Sequence, residues 1–187
     1  MSSLTGKEIG PTGFGLMRMY VLSSPTRLRS NKLTGMTWVA NPPPQSQCFA
    51  TMDTALIHGA NFWNGGELYG TPDYNSLHLL HDYFTAHPEK AEKVVLSIKG
   101  GLIPGQLIPD GSEENINRSV EECVRVLGGK KKIDIFECAR QDPKTTVEET
   151  VGTLKKFVEK GVIGGIGLSE VDADTIRRAY VFSVGKR

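Results

Sequence analysis

Apolar and polar positions along this chain follow two alternating periods. Short apolar runs suited to strands are each followed by a stretch in which apolar residues recur every three or four positions, the spacing of an amphipathic helix. Ile9 to Met17 opens the pattern as a glycine-rich, strand-like segment, and Cys48 to His58 places Phe49, Met52 and Leu56 on one helical face. Asn61 to Asn64 reads as the next strand. Leu77, Leu80 and Phe84 mark a second helix, followed by a strand from Val94 to Lys99. A third helix carries Ile116, Val120, Val124 and Leu127 and is stopped by Gly128-Gly129 before the strand Ile133 to Cys138. Thr145-Thr146-Val147-Glu148 opens a fourth helix with a capping-box pattern, and Val147, Val151, Leu154 and Val158 line its buried side as far as Gly161. Val162 to Leu168 reads as a fifth strand and Asp172 to Phe182 as a fifth helix.

Strand starts near 61, 94, 133 and 164 recur at intervals of roughly 30 to 40 residues with a helix between each pair, which predicts right-handed βαβ crossovers and a parallel sheet. An open doubly wound sheet and a (β/α)8 barrel both satisfy that pattern. An open dinucleotide-binding sheet carries G-x-G-x-x-G after its first strand, but Gly13-Phe14-Gly15-Leu16-Met17 is followed by Arg18 where the third glycine belongs. No phosphate-binding G-x-x-x-x-G-K-[ST] loop occurs either. The candidate chemical residues Asn64, Tyr69, Lys99, Arg140 and Ser169 fall at or just past the C-terminal ends of successive strands, the face on which barrels carry their sites. The expected fold is therefore α/β, a partial (β/α)8 TIM barrel of about five βα units out of eight. Its domain spans residues 1–179, with an atypical tail over 180–187.

Composition narrows the function. With 22 Lys and Arg against 21 Asp and Glu, nothing selects a nucleic acid or a membrane surface as partner. The N-terminus lacks the apolar stretch of a signal peptide and no apolar run reaches the ~18 residues of a spanning helix, so the expected location is intracellular, in the cytoplasm or nucleus. Cys48, Cys123 and Cys138 are odd in number and far apart, which fits neither a disulfide framework nor a zinc site and predicts buried, reduced thiols. His78 and His81 share a helical face without a plausible third metal ligand and read as solvated surface, as does the turn Lys130-Lys131-Lys132.

Tyr69 and Lys99 give the chemistry a direction. A phenol followed one βα unit later by a strand-end lysine is the pairing that reduction of a carbonyl needs, because an adjacent ammonium favours the tyrosinate and makes the phenol a better proton donor. Arg140 adds a permanently charged donor for a developing alkoxide, its alternative being a salt bridge with Asp142 or Glu137. Ser169 has an alternative as the N-cap of the fifth helix.

The segment Gly59-Ala60-Asn61-Phe62-Trp63-Asn64-Gly65-Gly66-Glu67-Leu68-Tyr69-Gly70 resembles the signature of the aldo-keto reductase family, as do Val94 to Lys99, Ile133 to Arg140 with Thr146-Val147-Glu148-Glu149-Thr150, and Gly161 to Ser169. The likeness runs from Ile9 to about Ala179. It implies a catalytic set of Tyr69, Lys99, Asn64 and Arg140, in which Asn64 stands at the family's aspartate position and Arg140 at its histidine position. These two departures, with Gly65-Gly66-Glu67 and Leu168-Ser169-Glu170, are similar to the pyridoxal reductase branch, which implies reduction of pyridoxal to pyridoxine, the vitamin B6 aldehyde and its alcohol, with NADPH. Ser169, Glu170 and Gly15 are the implied cofactor contacts, no metal is implied, and a small-molecule aldehyde is the partner. With Asn64 in place of an aspartate, Lys99 is expected to be freer to act on Tyr69.

A closed barrel needs ~250 residues, so the resemblance also implies a chain lacking three βα units, together with most of the grip on the cofactor's diphosphate and adenosine. Open edges at the first and fifth strands would favour self-association. Beside an active reductase, an inactive fragment and a cofactor-binding regulatory module remain as readings.

Overall fold

The computed structural model describes residues 2–17, 37 and 42–184. The position of Arg18 and the last three residues of the expected tail lie outside this range. Five short strands, β3 (Gly13–Gly15), β4 (Phe62–Gly66), β5 (Val95–Gly100), β6 (Ile135–Cys138) and β7 (Ile166–Leu168), form one sheet whose spatial order is the chain order. Every neighbouring pair in it is parallel. A doubly wound sheet reverses direction from its first strand, whereas a barrel adds each new strand on the same side, so the order places this chain on the barrel pathway. Helices α1 (Gln45–Ile57), α2 (Ser76–Ala86), α3 (Glu113–Leu127) and α4 (Val147–Glu159) occupy the crossovers, and α5 (Ala173–Val184) follows the last strand. A 3-10 turn, Pro88–Lys93, leads from α2 into β5.

Local sequence sets the helix limits. Thr146 and Glu149 form the reciprocal capping box at the start of α4. Asn75 caps α2 in the same way, with His78 in the third position. Ser112 caps α3, and Gly128, at φ 57°, ends it in the left-handed conformation that only glycine adopts freely. Helix α5 continues to Val184, past residue 179 where the sequence pattern ends the domain, and it leaves Tyr180, Val181 and Phe182 exposed.

The core lies between the sheet and the helices. Trp63 on β4 is fully buried against Phe14, Tyr83 and Phe84, and Leu96, Ile98 and Phe136 continue the layer. Helix α3 buries Ile116, Ser119, Val120, Cys123, Val126 and Leu127, while Val124 is 38 % exposed. The expected stripe is corrected here: the buried face passes through Cys123, and Val124 lies beyond its edge. Strand β7 is shorter than the apolar run suggests, with Ile163 making only an isolated bridge to Ile133.

An antiparallel hairpin, β1 (Ser2–Leu4) and β2 (Lys7–Ile9), stands apart from the sheet. Asn61 pins it by accepting from Gly10 N (2.9 Å) and donating to Glu8 O (2.9 Å). Lys7 pairs with Asp134 at 3.1 Å, and the other oxygen of Asp134 lies 2.9 Å from Lys131 Nζ and accepts from Leu96 N. Lys131 is only 5 % exposed, so the reading of Lys130-Lys131-Lys132 as a solvated turn fails at its middle residue. A buried ammonium is tolerable only beside a carboxylate, and Asp134 is that partner.

Candidate functional site

Tyr69 sits on a turn that the neighbouring elements hold firmly. Ser76 Oγ donates to Gly66 O and accepts from Gly66 N, both at 2.9 Å, and Glu67 N donates to Lys99 O at 2.8 Å. The carboxylate of Glu67 takes a two-pronged Arg118 guanidinium and the Ser119 hydroxyl (2.6 Å), fastening the turn to α3. The carbonyl of Tyr69 accepts from Ser76 N and from Thr37 Oγ1. Its side chain is 5 % exposed.

Register brings the other residues to the same end of the sheet. Gly15 pairs with Asn64, Asn64 with Ser97, Gly66 with Lys99, Lys99 with Glu137, and Glu137 with Gly167. Lys99 Nζ donates to Asn64 Oδ1 (3.0 Å) and pairs with Glu137 Oε1 at 2.9 Å. The other Glu137 oxygen accepts from Asn64 Nδ2 (3.0 Å) and Ser97 Oγ (3.1 Å), which closes a ring of four polar side chains. Lys99 and Glu137 are 16 % and 15 % exposed. The expectation that Asn64 frees Lys99 is therefore corrected: a carboxylate from β6 pairs with it instead.

Arg140 turns its guanidinium to Glu170, 2.8 Å away, and to the carbonyl of Ala139. Its partner is neither Asp142 nor Glu137. Asp142 instead accepts from Gly111 N, Lys144 N and Thr145 Oγ1. Glu170 holds a left-handed backbone at φ 54°, a conformation that costs a side-chain-bearing residue free energy and recurs at functional sites. Ser169 donates its N–H to Cys138 O at 3.1 Å, and Asp172 caps α5 through Thr175 N (2.7 Å), so the capping alternative for Ser169 does not apply. A Cβ added at Gly15 would meet nothing within 4 Å, which leaves open space beside the end of β3.

Burial pushes the Tyr69 phenol above its ordinary pKa; Glu137 adds to the rise, Arg140 opposes it and Glu170 adds again. This reverses the expected direction. The cationic rim of Lys99 and Arg140 is matched by two carboxylates, and desolvation decides the sign. The phenol is thus held in its protonated form, which is the form a proton donor needs.

A groove of about 970 Å3 runs along the other side of the Tyr69 turn, between Leu68, Leu102, Arg118 and Glu121, and the candidate residues do not line it. The two histidines are half-buried, not solvated: His78 serves the α2 cap, and His81 meets Leu127 O at 3.3 Å. Among the described residues no cluster of three or more His, Cys, Asp or Glu could hold a metal. All three cysteines are free and buried, and burial pushes the Cys138 thiol up to about 12. Among the described residues no helix is long and apolar enough to cross a membrane.

Glu137 is the participant that motif spacing missed. Its signal was available, since alternation along Ile135-Phe136-Glu137-Cys138 sends Phe136 and Cys138 into the core and Glu137 to the opposite face.

A parallel sheet whose strand order follows the chain, with polar residues gathered at the strand ends, is the architecture of part of a (β/α)8 barrel. The aldo/keto reductase family model matches residues 32–186, and the chain belongs to that family. It is 42 % identical over 180 residues to a Schizosaccharomyces pombe protein named "Probable pyridoxal reductase 2", covering 96 % of this chain and 49 % of that protein. An aldo-keto reductase from Bacillus halodurans, solved in its holo form, superposes with a TM-score of 0.68 at 18 % identity, covering 92 % of this chain and 50 % of that one. An aldo-keto reductase from Klebsiella pneumoniae, solved in complex with NADPH, does so at 0.65 and 17 %, covering 92 % and 49 %. The chain spans about half the length of the relatives it matches.

Proposed function

We propose that this chain carries the proton-donating residues of an NADPH-dependent carbonyl reductase that acts on a small aldehyde. Pyridoxal, reduced to pyridoxine in vitamin B6 metabolism in the cytoplasm, is the substrate we favour. One observation carries the reading: the buried Tyr69 and the strand-end Lys99 both pack against Gly66, with Arg140 close enough to act on the phenol's charge. The name of the Schizosaccharomyces pombe relative supports the aldehyde, and the Klebsiella pneumoniae neighbour's complex supports the cofactor. The buried thiols fit a reducing compartment.

The residues present suit the nicotinamide end of that cofactor: Ser169 offers a hydroxyl to an amide, Gly15 leaves room beside β3, and Glu170 fixes Arg140 at the same edge. NADPH, when bound, supplies the hydride that reduces the carbonyl carbon. Tyr69 delivers its proton to the carbonyl oxygen as negative charge grows there, and the resulting phenolate is reprotonated from solvent. Lys99 and Arg140 stabilise that negative charge, while Asn64 and the Glu67 network hold the donors in line.

The test is NADPH oxidation by the purified chain with pyridoxal, run beside a fluorescence titration of NADPH. Turnover is the expected result. Binding without turnover would replace this reading with that of a regulatory module, and neither with that of an inactive chain.

A further inference from the structure

We propose that Glu137 is the positioning residue of this site, holding the Lys99 ammonium in place beside the Tyr69 ring through a ring of polar side chains it shares with Asn64 and Ser97. The inference rests on the carbonyl-reduction reading and adds to it a residue that, beside burial, bears on the donor's titration.

The argument starts from one row of the sheet. Across β4, β5, β6 and β7 the register partners are Gly66, Lys99, Glu137 and Gly167. Both ends of the row are glycine. A Cβ at 66 would stand 3.3 Å from Lys99 Cβ, and one at 167 would stand 3.2 Å from Glu137 Cβ and Cγ. Side chains at either end would press on the ion pair, so their absence leaves the long chains of Lys99 and Glu137 room to meet.

The pair is mostly withdrawn from water, where a lone charge is costly, and each Glu137 oxygen has a donor. Among the described residues, the charged groups that act on Tyr69 include Glu137 from β6, Arg140 beyond β6 and Glu170 beyond β7, and Lys99 of β5 lies beside it across Gly66. Arg140 and Glu170 pair with each other and act in opposite senses, so after burial Glu137 is the largest contributor to the rise and the one whose removal should lower it.

Asn64 Oδ1 already lies 3.0 Å from Lys99 Nζ, so a carboxylate at 64 can replace the one at 137 from the opposite neighbour. That gives a swap. In the cofactor-free full chain, an absorbance titration of the phenol is read as the difference from Tyr69→Phe. Glu137→Gln is expected to move it to lower pH, and Asn64→Asp combined with Glu137→Gln to move it back. The basic limb of pyridoxal reduction should shift in the same two directions, which loss of structure alone would not produce. Asn64→Asp in the otherwise native chain exchanges the amide that donates to Glu137 for a second carboxylate beside Lys99 and should move the titration to higher pH, so the inference stays testable if Glu137→Gln does not fold. A titration unmoved in Glu137→Gln, a swap variant that behaves like Glu137→Gln, or an unmoved titration in Asn64→Asp would overturn it. Absence of pyridoxal reduction by the native chain, with the phenol responding as described, would instead remove the reading of function and leave the role of Glu137 intact.

Discussion

The ring of Tyr69 rests against Gly66, so closely that a methyl group there would stand 3.2 Å from its Cγ and Cδ2 carbons. Gly66 also sits beside Lys99 in the register, so one missing side chain lets the phenol and the amine share a site. Gly66→Ala should therefore leave the fold in place and displace the donor. The displacement needed is a few tenths of an ångström, so turnover should fall measurably but by less than the ~10²-fold that a misplacement of about 1 Å costs. Steady-state kinetics with pyridoxal, alongside circular dichroism, would read it; native turnover in a folded variant would contradict the placement of Tyr69.

Tyr69→Phe keeps the ring and removes the hydroxyl that carries the proton. The cost should be that of general-acid catalysis, ~10²- to 10⁴-fold in turnover, with NADPH affinity by fluorescence essentially unchanged. Turnover within a few-fold of the native chain would assign the donor elsewhere.

Asp134 joins the N-terminal hairpin to the sheet. Its carboxyl, though buried, titrates below the ordinary range because the Leu96 N–H and the ammoniums of Lys131 and Lys7 favour the charged form more than burial opposes it. A depressed folded-state value contributes stability that is complete above the unfolded value, about pH 4, and disappears as the pH falls through the folded one. Asp134→Ala leaves Lys131 buried without its partner, at a cost of about 3–5 kcal/mol. Urea unfolding at neutral pH should show that loss. Repeated in acid, it should show the native chain losing stability toward the variant; parallel curves would mean the carboxylate does not carry the term.

Where a signal is local, the chain announces its fold. Thr146 and Glu149 place the start of α4, Gly128 the end of α3, and the spacing of Trp63, Leu96 and Phe136 the strands between. The N-terminal hairpin was missed because three-residue strands are too short to display alternation, although Thr5-Gly6, at φ 51° and 80°, forms the tight turn that glycine favours. Lys131 and Glu137 were misread or overlooked for another reason. Each is a charge whose burial depends on a partner one strand or one turn away, and periodicity weighs residues singly. The same holds for Tyr69, whose pKa follows from what surrounds it and not from which motif contains it.

The three native thiols are all interior, and burial raises the pKa of each. Alkylating reagents and mild peroxide should find little thiolate to attack, so the native chain needs no cysteine removal before a reporter is attached. One engineered surface cysteine, set on the exposed α5 positions Val181 or Phe182, would accept a maleimide dye cleanly and turn this fold into a singly labelled probe.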